Sequence, residues 1–533
     1  MIRTTRVLFL CRARRIAADP IRQNDEAQNH QAGRSVCLRA SSIILYFIIL
    51  PFRFSLRWVA GVPHRVLRGC ASLAVVVGTL SLNGLTPVSA GDWSRFRGPN
   101  GAGVSLDDKA PPVEWSETKN MKWKFELPGP GLSCPIVVGD KVIVTCWSGY
   151  GTTTARDAKQ DQLKRHLVCV DRQTGKQLWN TVIDPELPED SYRGMFTENG
   201  YASHTPVSDG KNIFAFFGKT GVVAFDMDGK KLWQTKVGKD SDPRGWGTAS
   251  SPILYKNLVI VTASIESHAL VALDRETGKE VWNQPADGFG SMWGTPILVE
   301  VDAGRTDLVV GVPYEVWGFN PDTGKLRWYC EAADSESMCS SVIAHDGIVY
   351  AIEGRSGGSI AVKAGGTDNV TKSHVVWSGR DRGRISTPIY HDGRLHWISD
   401  RVANALDAKT GQRVYQARLK SDGSPVEAAP PADERPTQGG RRGGGGGGGD
   451  GRGGQDYASP VASHGRMYFV GRSGETYVVE LGAEYKLLAV NRVSSESDES
   501  IFNSTPAISD GDLFIRSSST LYCIGAEPPV ATK

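Results

Sequence analysis

The sequence contains no adjacent cysteine pair, no Cys-x-x-Cys and no zinc-ligand spacing, which excludes a dithiol redox motif and a zinc module. No heptad pattern runs through it, which excludes a coiled coil. Its apolar stretches Ile43–Leu50 and Ala71–Leu82 fall short of the roughly 20 residues that span a bilayer comfortably. The body also lacks excess positive charge. The net charge of +3 belongs to the first 90 residues, which hold 12 Arg, no Lys and 3 acids. The remainder carries 49 basic and 55 acidic residues, a slightly acidic surface with no electrostatic footprint for nucleic acid.

The first 90 residues read as a leader. Arg65-Val66-Leu67-Arg68, the apolar stretch from Ala71 and Pro87-Val88-Ser89-Ala90 form the basic, apolar and small-residue regions of a secretory signal cleaved after Ala90. Residues 1–60 have no part in such a signal, and a translation start near residue 60 accounts for them. The competing reading is an uncleaved leader that keeps the protein near a membrane. Export to the periplasm or the cell exterior is the expectation, with residues 91–117 as an N-terminal extension and 527–533 as a tail.

Of the nine cysteines, Cys11, Cys37 and Cys70 lie in the leader. Cys169 and Cys523 share a repeat position with Ala224 and Ala272 and are expected as small buried residues. Cys330 and Cys339 flank a short connection, a placement that suits a disulfide in an oxidising compartment.

What the chain has in abundance is glycine, 61 residues, punctuating short β-branched runs. These belong to a repeat. One position recurs as Pro135, Pro206, Pro252, Pro296, Val342, Pro388, Pro460 and Pro506, with gaps of 71, 46, 44, 46, 46, 72 and 46 residues. A unit of about 45 residues with four antiparallel strands is one propeller blade. The expected fold is an all-β, eight-bladed β-propeller over residues 118–526. The two long gaps hold insertions, a polar rim loop near 148–165 and a Gly/Arg-rich loop at 421–455. The eighth unit has only three strands, and the strand around Trp123 is expected to supply its fourth. Trp123, Trp179, Trp233, Trp282, Trp328, Trp377 and Tyr415 are expected to pack between blades as structural docking residues.

Ala272-Leu273-Asp274-Arg275-Glu276-Thr277-Gly278-Lys279-Glu280-Val281-Trp282 resembles the tryptophan-docking repeat of the pyrroloquinoline-quinone (PQQ) dehydrogenase family. Asp92-Trp93-Ser94-Arg95-Phe96-Arg97-Gly98-Pro99-Asn100-Gly101 is similar to the opening segment of secreted bacterial PQQ-like propellers. In the enzymes of that family PQQ lies on the propeller axis against a Trp, often under a disulfide of adjacent cysteines. Ca²⁺ polarises the quinone and a nearby Asp acts as base. Non-catalytic relatives include a propeller lipoprotein that assists outer-membrane protein assembly. This chain departs from the enzymes in lacking the Cys pair, and no Glu, Asn and Asp set matches the calcium ligands. The resemblance therefore implies first a non-catalytic binding or scaffolding module for a protein, peptide or small ligand. The alternatives are a PQQ- and Ca²⁺-dependent dehydrogenase of alcohols or sugars and a propeller that binds extracellular polysaccharide. No oligomerisation signal is present, and a monomer is expected.

The segments entering the innermost strands are aromatic and polar. His204, Trp246, Trp293, Arg384, Tyr457 and Asn503 are expected either to line a ligand funnel at one mouth of the central channel or simply to plug it. His345, His391 and His464 share a repeat position but sit on different blades, too far apart to share an ion, and read as turn residues.

Overall fold

A computed structural model of the protein describes residues 91–353, 357–420, 455–495 and 500–526. The leader and its signal, start-site and anchor readings lie outside the described residues, as does residues 421–454 of the Gly/Arg-rich insertion.

Blade 3 shows how the sequence makes a blade. Strands Ile253–Tyr255, Leu258–Ala263, Ala269–Asp274 and Glu280–Pro285 pair antiparallel in chain order. The second strand is buried at all six positions and the third at its first five, because a neighbouring blade covers each face. They therefore read as continuous apolar runs. The outermost strand is covered on one side only and alternates, with Trp282 buried and Val281 exposed.

Each fourth-strand Trp faces a small residue across the sheet. The pairs are Trp123 with Cys523, Trp179 with Cys169, Trp233 with Ala224, Trp282 with Ala272, Trp328 with Gly318 and Trp377 with Ala361. The two cysteines are thus the buried small residues that the repeat predicts. The indole docks on the next blade, where Trp233 lies over Gly278 and donates from Nε1 to Arg275 O at 3.1 Å. Gly278 has φ +69°, and a Cβ there would fall 2.6 Å from the Trp233 ring, so only glycine fits. The turn is held by Asp274, whose Oδ1 accepts from Thr277 N and Oγ1 at 2.8 and 2.7 Å.

Eight such blades form the ring, and the last is composite. Strands Ala507–Ser509, Asp512–Arg516 and Thr520–Ile524 are completed by Met121–Glu126, which pairs antiparallel with Thr520–Ile524. Trp123 then docks on blade 1, donating to Arg172 O at 2.8 Å. Both ends of the chain's repeat region therefore share one sheet, which gives blade 8 four strands like the others.

Trp328 is held differently from the other fourth-strand tryptophans: its Nε1 donates to Asp307 Oδ2 in its own blade at 2.7 Å. Blade 5 lacks the Asp-x-x-Thr-Gly turn at this point and instead lays Asp368–Asn369 parallel to the outer strand of blade 4. Cys330 and Cys339 are not joined by a disulfide. Cys330 lies on the outer strand Leu326–Glu331, whereas Cys339 lies at the axis on the wall of the central cavity. The insertion in the first unit is packed: Tyr150, Leu163, Tyr192, Phe196 and Tyr201 gather around Trp147 in a small aromatic core.

Candidate functional site

Each chain segment entering an innermost strand runs toward the axis in extended form, so alternate residues point in opposite senses. The residue immediately before the recurring proline position turns to the axis. In seven blades it is Ser or Thr. Backbone N–H groups of Cys134, Thr205, Ser251, Thr295, Ser341, Thr387 and Ser459 each donate to the hydroxyl of the next blade's residue, at 2.9–3.0 Å. The Thr505 hydroxyl ends this series, and the Cys134 sulfur stands where an eighth hydroxyl would be. Burial pushes its thiol pKa up, while hydrogen bonds from Thr205 and Thr505 act the other way. A hydrogen-bonded collar of seven hydroxyls and one thiol thus narrows the channel.

Below the collar the N-terminal segment closes the channel. Trp93 bridges to Val137 of blade 1, Ser208 N of blade 2 donates to Ser94 O, and Arg95 Nη2 reaches Pro296 O of blade 4 at 3.3 Å. Arg97 is fully buried. Its guanidinium donates to Thr387 O, Pro388 O and Pro460 O at 2.9, 2.6 and 3.2 Å, and to Gly101 O and Ala102 O of its own loop at 3.2 and 3.1 Å. Burial pulls its pKa down to about 9, which leaves it charged at neutral pH. Gly98, at φ +64°, lets the chain fold back over Trp93, whose ring would lie 2.5 Å from a Cβ.

Above this floor lies a cavity of about 200 Å³, lined by all eight collar residues and by Phe96 from below. Trp246, Trp293, Arg384, Tyr457 and Asn503 line it together. Trp246 and Trp293 have ring centroids 5.2 Å apart at 31°, and Trp293 Nε1 is fixed on Gly247 O at 2.7 Å. Trp293, Tyr457 and Asn503 stand three positions before their prolines, in phase with the collar. His204 stands two positions before and points away from the cavity, between blades. It packs on Phe216 at 4.5 Å and meets Thr248 Oγ1 at 3.2 Å. The collar residues lie immediately before the recurring proline position, but carry no signal of their function in isolation.

Behind the wall, His204 belongs to a buried polar cluster with Arg165, Glu189 and Glu266. Arg165 pairs with Glu189 at 2.6 Å, both side chains being almost wholly buried. Burial holds His204 down at about 3 and lifts Glu266 to about 7. Burial also holds His396, bonded to Tyr415 OH at 3.1 Å, down at about 3. Below pH 6.5 the unfolded chain binds protons that the two folded imidazoles refuse, so their contribution is lost as pH falls toward 3. Glu266 has the opposite sign: its folded carboxyl keeps a proton that the unfolded chain has lost above 4.5, so its contribution falls as pH rises toward 7. Two imidazoles outweigh one carboxyl, and the melting temperature should fall between pH 6.5 and 4.5. The His396→Phe variant should show a shallower fall, and Glu266→Gln should gain on the wild type at pH 8; parallel melting curves for all three proteins would contradict this.

The charged groups of the cavity are few. Glu198 is bound by Arg472, with distances of 2.7 and 3.1 Å, and Glu353 is buried against Ser335 and Ser340 hydroxyls at 3.4 and 3.5 Å. Arg384 faces Asp400 at 3.3 Å. Calcium takes six to eight oxygen ligands with several carboxylates among them. The cavity lining offers two carboxylates, both engaged, and the described residues hold no group of three or more His, Cys, Asp or Glu able to take a metal ion. These residues do not fit the Ca²⁺–PQQ arrangement that the resemblance implies.

Comparisons with known proteins agree with the fold. A family model described as outer membrane protein assembly factor BamB matches residues 91–241, 162–291 and 219–369. A polyvinylalcohol dehydrogenase of Pseudomonas sp. is 27% identical, with 45% of this chain matched to 54% of that protein. The polyvinylalcohol dehydrogenase of Sphingopyxis sp. (strain 113P3) is 23% identical, with 46% of this chain matched to 40% of that protein. The match thus spans about half the length of these relatives. Among solved structures, a europium-containing methanol dehydrogenase superposes with a TM-score of 0.54 at 11% identity, covering 82% of this chain and 98% of that one. The quinohemoprotein alcohol dehydrogenase from Comamonas testosteroni gives 0.54 at 10% identity, covering 84% and 83%. At such identities the likeness shows a shared fold alone.

Proposed function

The chain belongs to the PQQ-like β-propeller repeat family, and on that premise we propose that it is an exported binding propeller that takes a small, polar, ring-shaped ligand, a sugar ring, in its axial well. The observation that carries this reading is the well itself: a blind cavity with a hydroxyl collar at its base and two indoles on its wall. Hydroxyl groups suit the edges of a sugar, and aromatic faces suit its C–H surfaces. A cavity of about 200 Å³ admits one ring or a chain end, not a folded partner. The rest of a polysaccharide would lie across the mouth. Export is supported by the leader's signal-like pattern and by the outer-membrane description of the matching family.

Intrinsic fluorescence during titration with sugars selected on a glycan array tests the proposal, because Trp246 and Trp293 report from the site. The expected result is saturable quenching that the double variant Trp246→Ala, Trp293→Phe loses by about tenfold or more in affinity, equivalent to about 1.4 kcal/mol. Its melting should stay cooperative, since Phe keeps a ring at the buried position. Equal affinity in the double variant would remove the well from the binding site.

A second reading, a quinoprotein dehydrogenase, draws on the likeness to the two polyvinylalcohol dehydrogenases. The donor set described above speaks against it. Incubation with PQQ and Ca²⁺ followed by gel filtration separates the readings: a binding propeller elutes without quinone absorbance, and an enzyme elutes with it.

A further inference from the structure

At the mouth of the well, one internal carboxylate occupies a site held ready for a carboxylate. Arg472 is fixed by the propeller body. Its backbone N–H donates to Asp456 Oδ1 at 2.9 Å and its carbonyl accepts from Phe502 N at 3.0 Å. Nη1 donates to Asn503 Oδ1 at 3.1 Å, and the guanidinium carbon lies 5.6 Å from the centroid of the Tyr457 ring. None of these contacts needs Glu198. That residue comes from the 3-10 turn Gly194–Glu198 in the connection between blades 1 and 2. Its two oxygens meet Nη1 and Nη2 of Arg472 as a bidentate fork, the geometry in which arginine recognises carboxylates.

The pair bridges the mouth from the blade 1–2 connection to blade 7. Glu198 and Asn503 line the well; Arg472, behind them, does not. Both partners of the ion pair keep some exposure, 15% for Arg472 and 25% for Glu198, so water and an incoming ligand can reach it. Arg384 lines the same cavity and adds a second positive charge to it.

We propose that the ligand of the well carries a carboxylate that displaces Glu198 from the Arg472 fork, so that the site selects uronate rings over neutral sugars and Glu198 acts as an internal competitor. This rests on the reading of the well as a sugar-ring site. It adds the class of sugar and names Arg472 and Glu198 as specificity residues.

Fluorescence titration with D-glucuronate and D-glucose tests it on the wild type, Glu198→Gln and Arg472→Gln. The wild type should prefer glucuronate, and added salt should weaken glucuronate binding more than glucose binding. The glucuronate-to-glucose affinity ratio should rise about fivefold in Glu198→Gln, the release of one partly exposed ion pair, and fall toward one in Arg472→Gln. Equal affinity of the wild type for both sugars, insensitive to salt, overturns the inference while leaving the well a sugar site. So does an affinity ratio that neither substitution moves. Binding of neither sugar by any of the proteins overturns both readings. The salt dependence needs no variant and decides the matter even if a substitution prevents folding.

Discussion

Deletion of residues 118–127 should lower the melting temperature more than any single substitution in the ring and broaden or abolish the cooperative transition. The deleted strand supplies five register pairs with Thr520–Ile524 and forms the outer strand of blade 8. It also carries Trp123, which packs on Phe514 at 6.0 Å and covers the Gly175 turn of blade 1. Truncating a buried Trp alone costs about 3–5 kcal/mol. Loss of the strand adds the unpaired edge of Thr520–Ile524, so the total is comparable with the whole stability of an ordinary domain, about 5–15 kcal/mol. Calorimetry checks this. A truncated protein that melts at the wild-type temperature would show that blade 8 does not need its N-terminal strand.

The second large effect is expected at Arg97. Replacing it with Met keeps much of the side-chain volume and removes every donor. The carbonyls of Thr387, Pro388 and Pro460 would then lose an ionic partner on the floor of the channel. Removing one side of a buried charged network costs about 3–5 kcal/mol, and each buried acceptor left unsatisfied about 1–3 kcal/mol. Much of this can be relieved by releasing residues 92–103 from the floor. Arg97→Met should therefore lower the melting temperature and hasten proteolysis within 92–117 while the blades stay folded. Wild-type protease resistance together with wild-type melting would contradict the assignment of Arg97 as the anchor of the floor.

The ring was legible in the sequence because it is periodic. The spacing of the proline position gave eight blades, and the orphan strand at Trp123 gave the closure. The site was legible only in part, for reasons of phase and distance. His204 was grouped with the funnel on composition, yet it sits one residue out of phase with Trp293, Tyr457 and Asn503, and strand alternation turns it between blades. The collar hydroxyls adjoin the recurring proline position, but their role appears only when neighbouring blades bring each N–H to the next hydroxyl. Trp328 bonds within its own blade where the following blade has no Asp-x-x-Thr-Gly turn, a change located outside the Trp segment itself. Arg97 lies outside any repeat, and Glu198 meets Arg472 across 274 positions of sequence. Neither contact leaves a local pattern.

The most direct measurement of the central claim is a crystal structure of the protein grown with a sugar that quenches its fluorescence. Density for one ring beside Trp246 and Trp293, above the collar formed by Thr205, Ser251 and their equivalents, is the predicted result. A sugar bound only at the outer edge of the ring, with the well filled by solvent, would contradict the account.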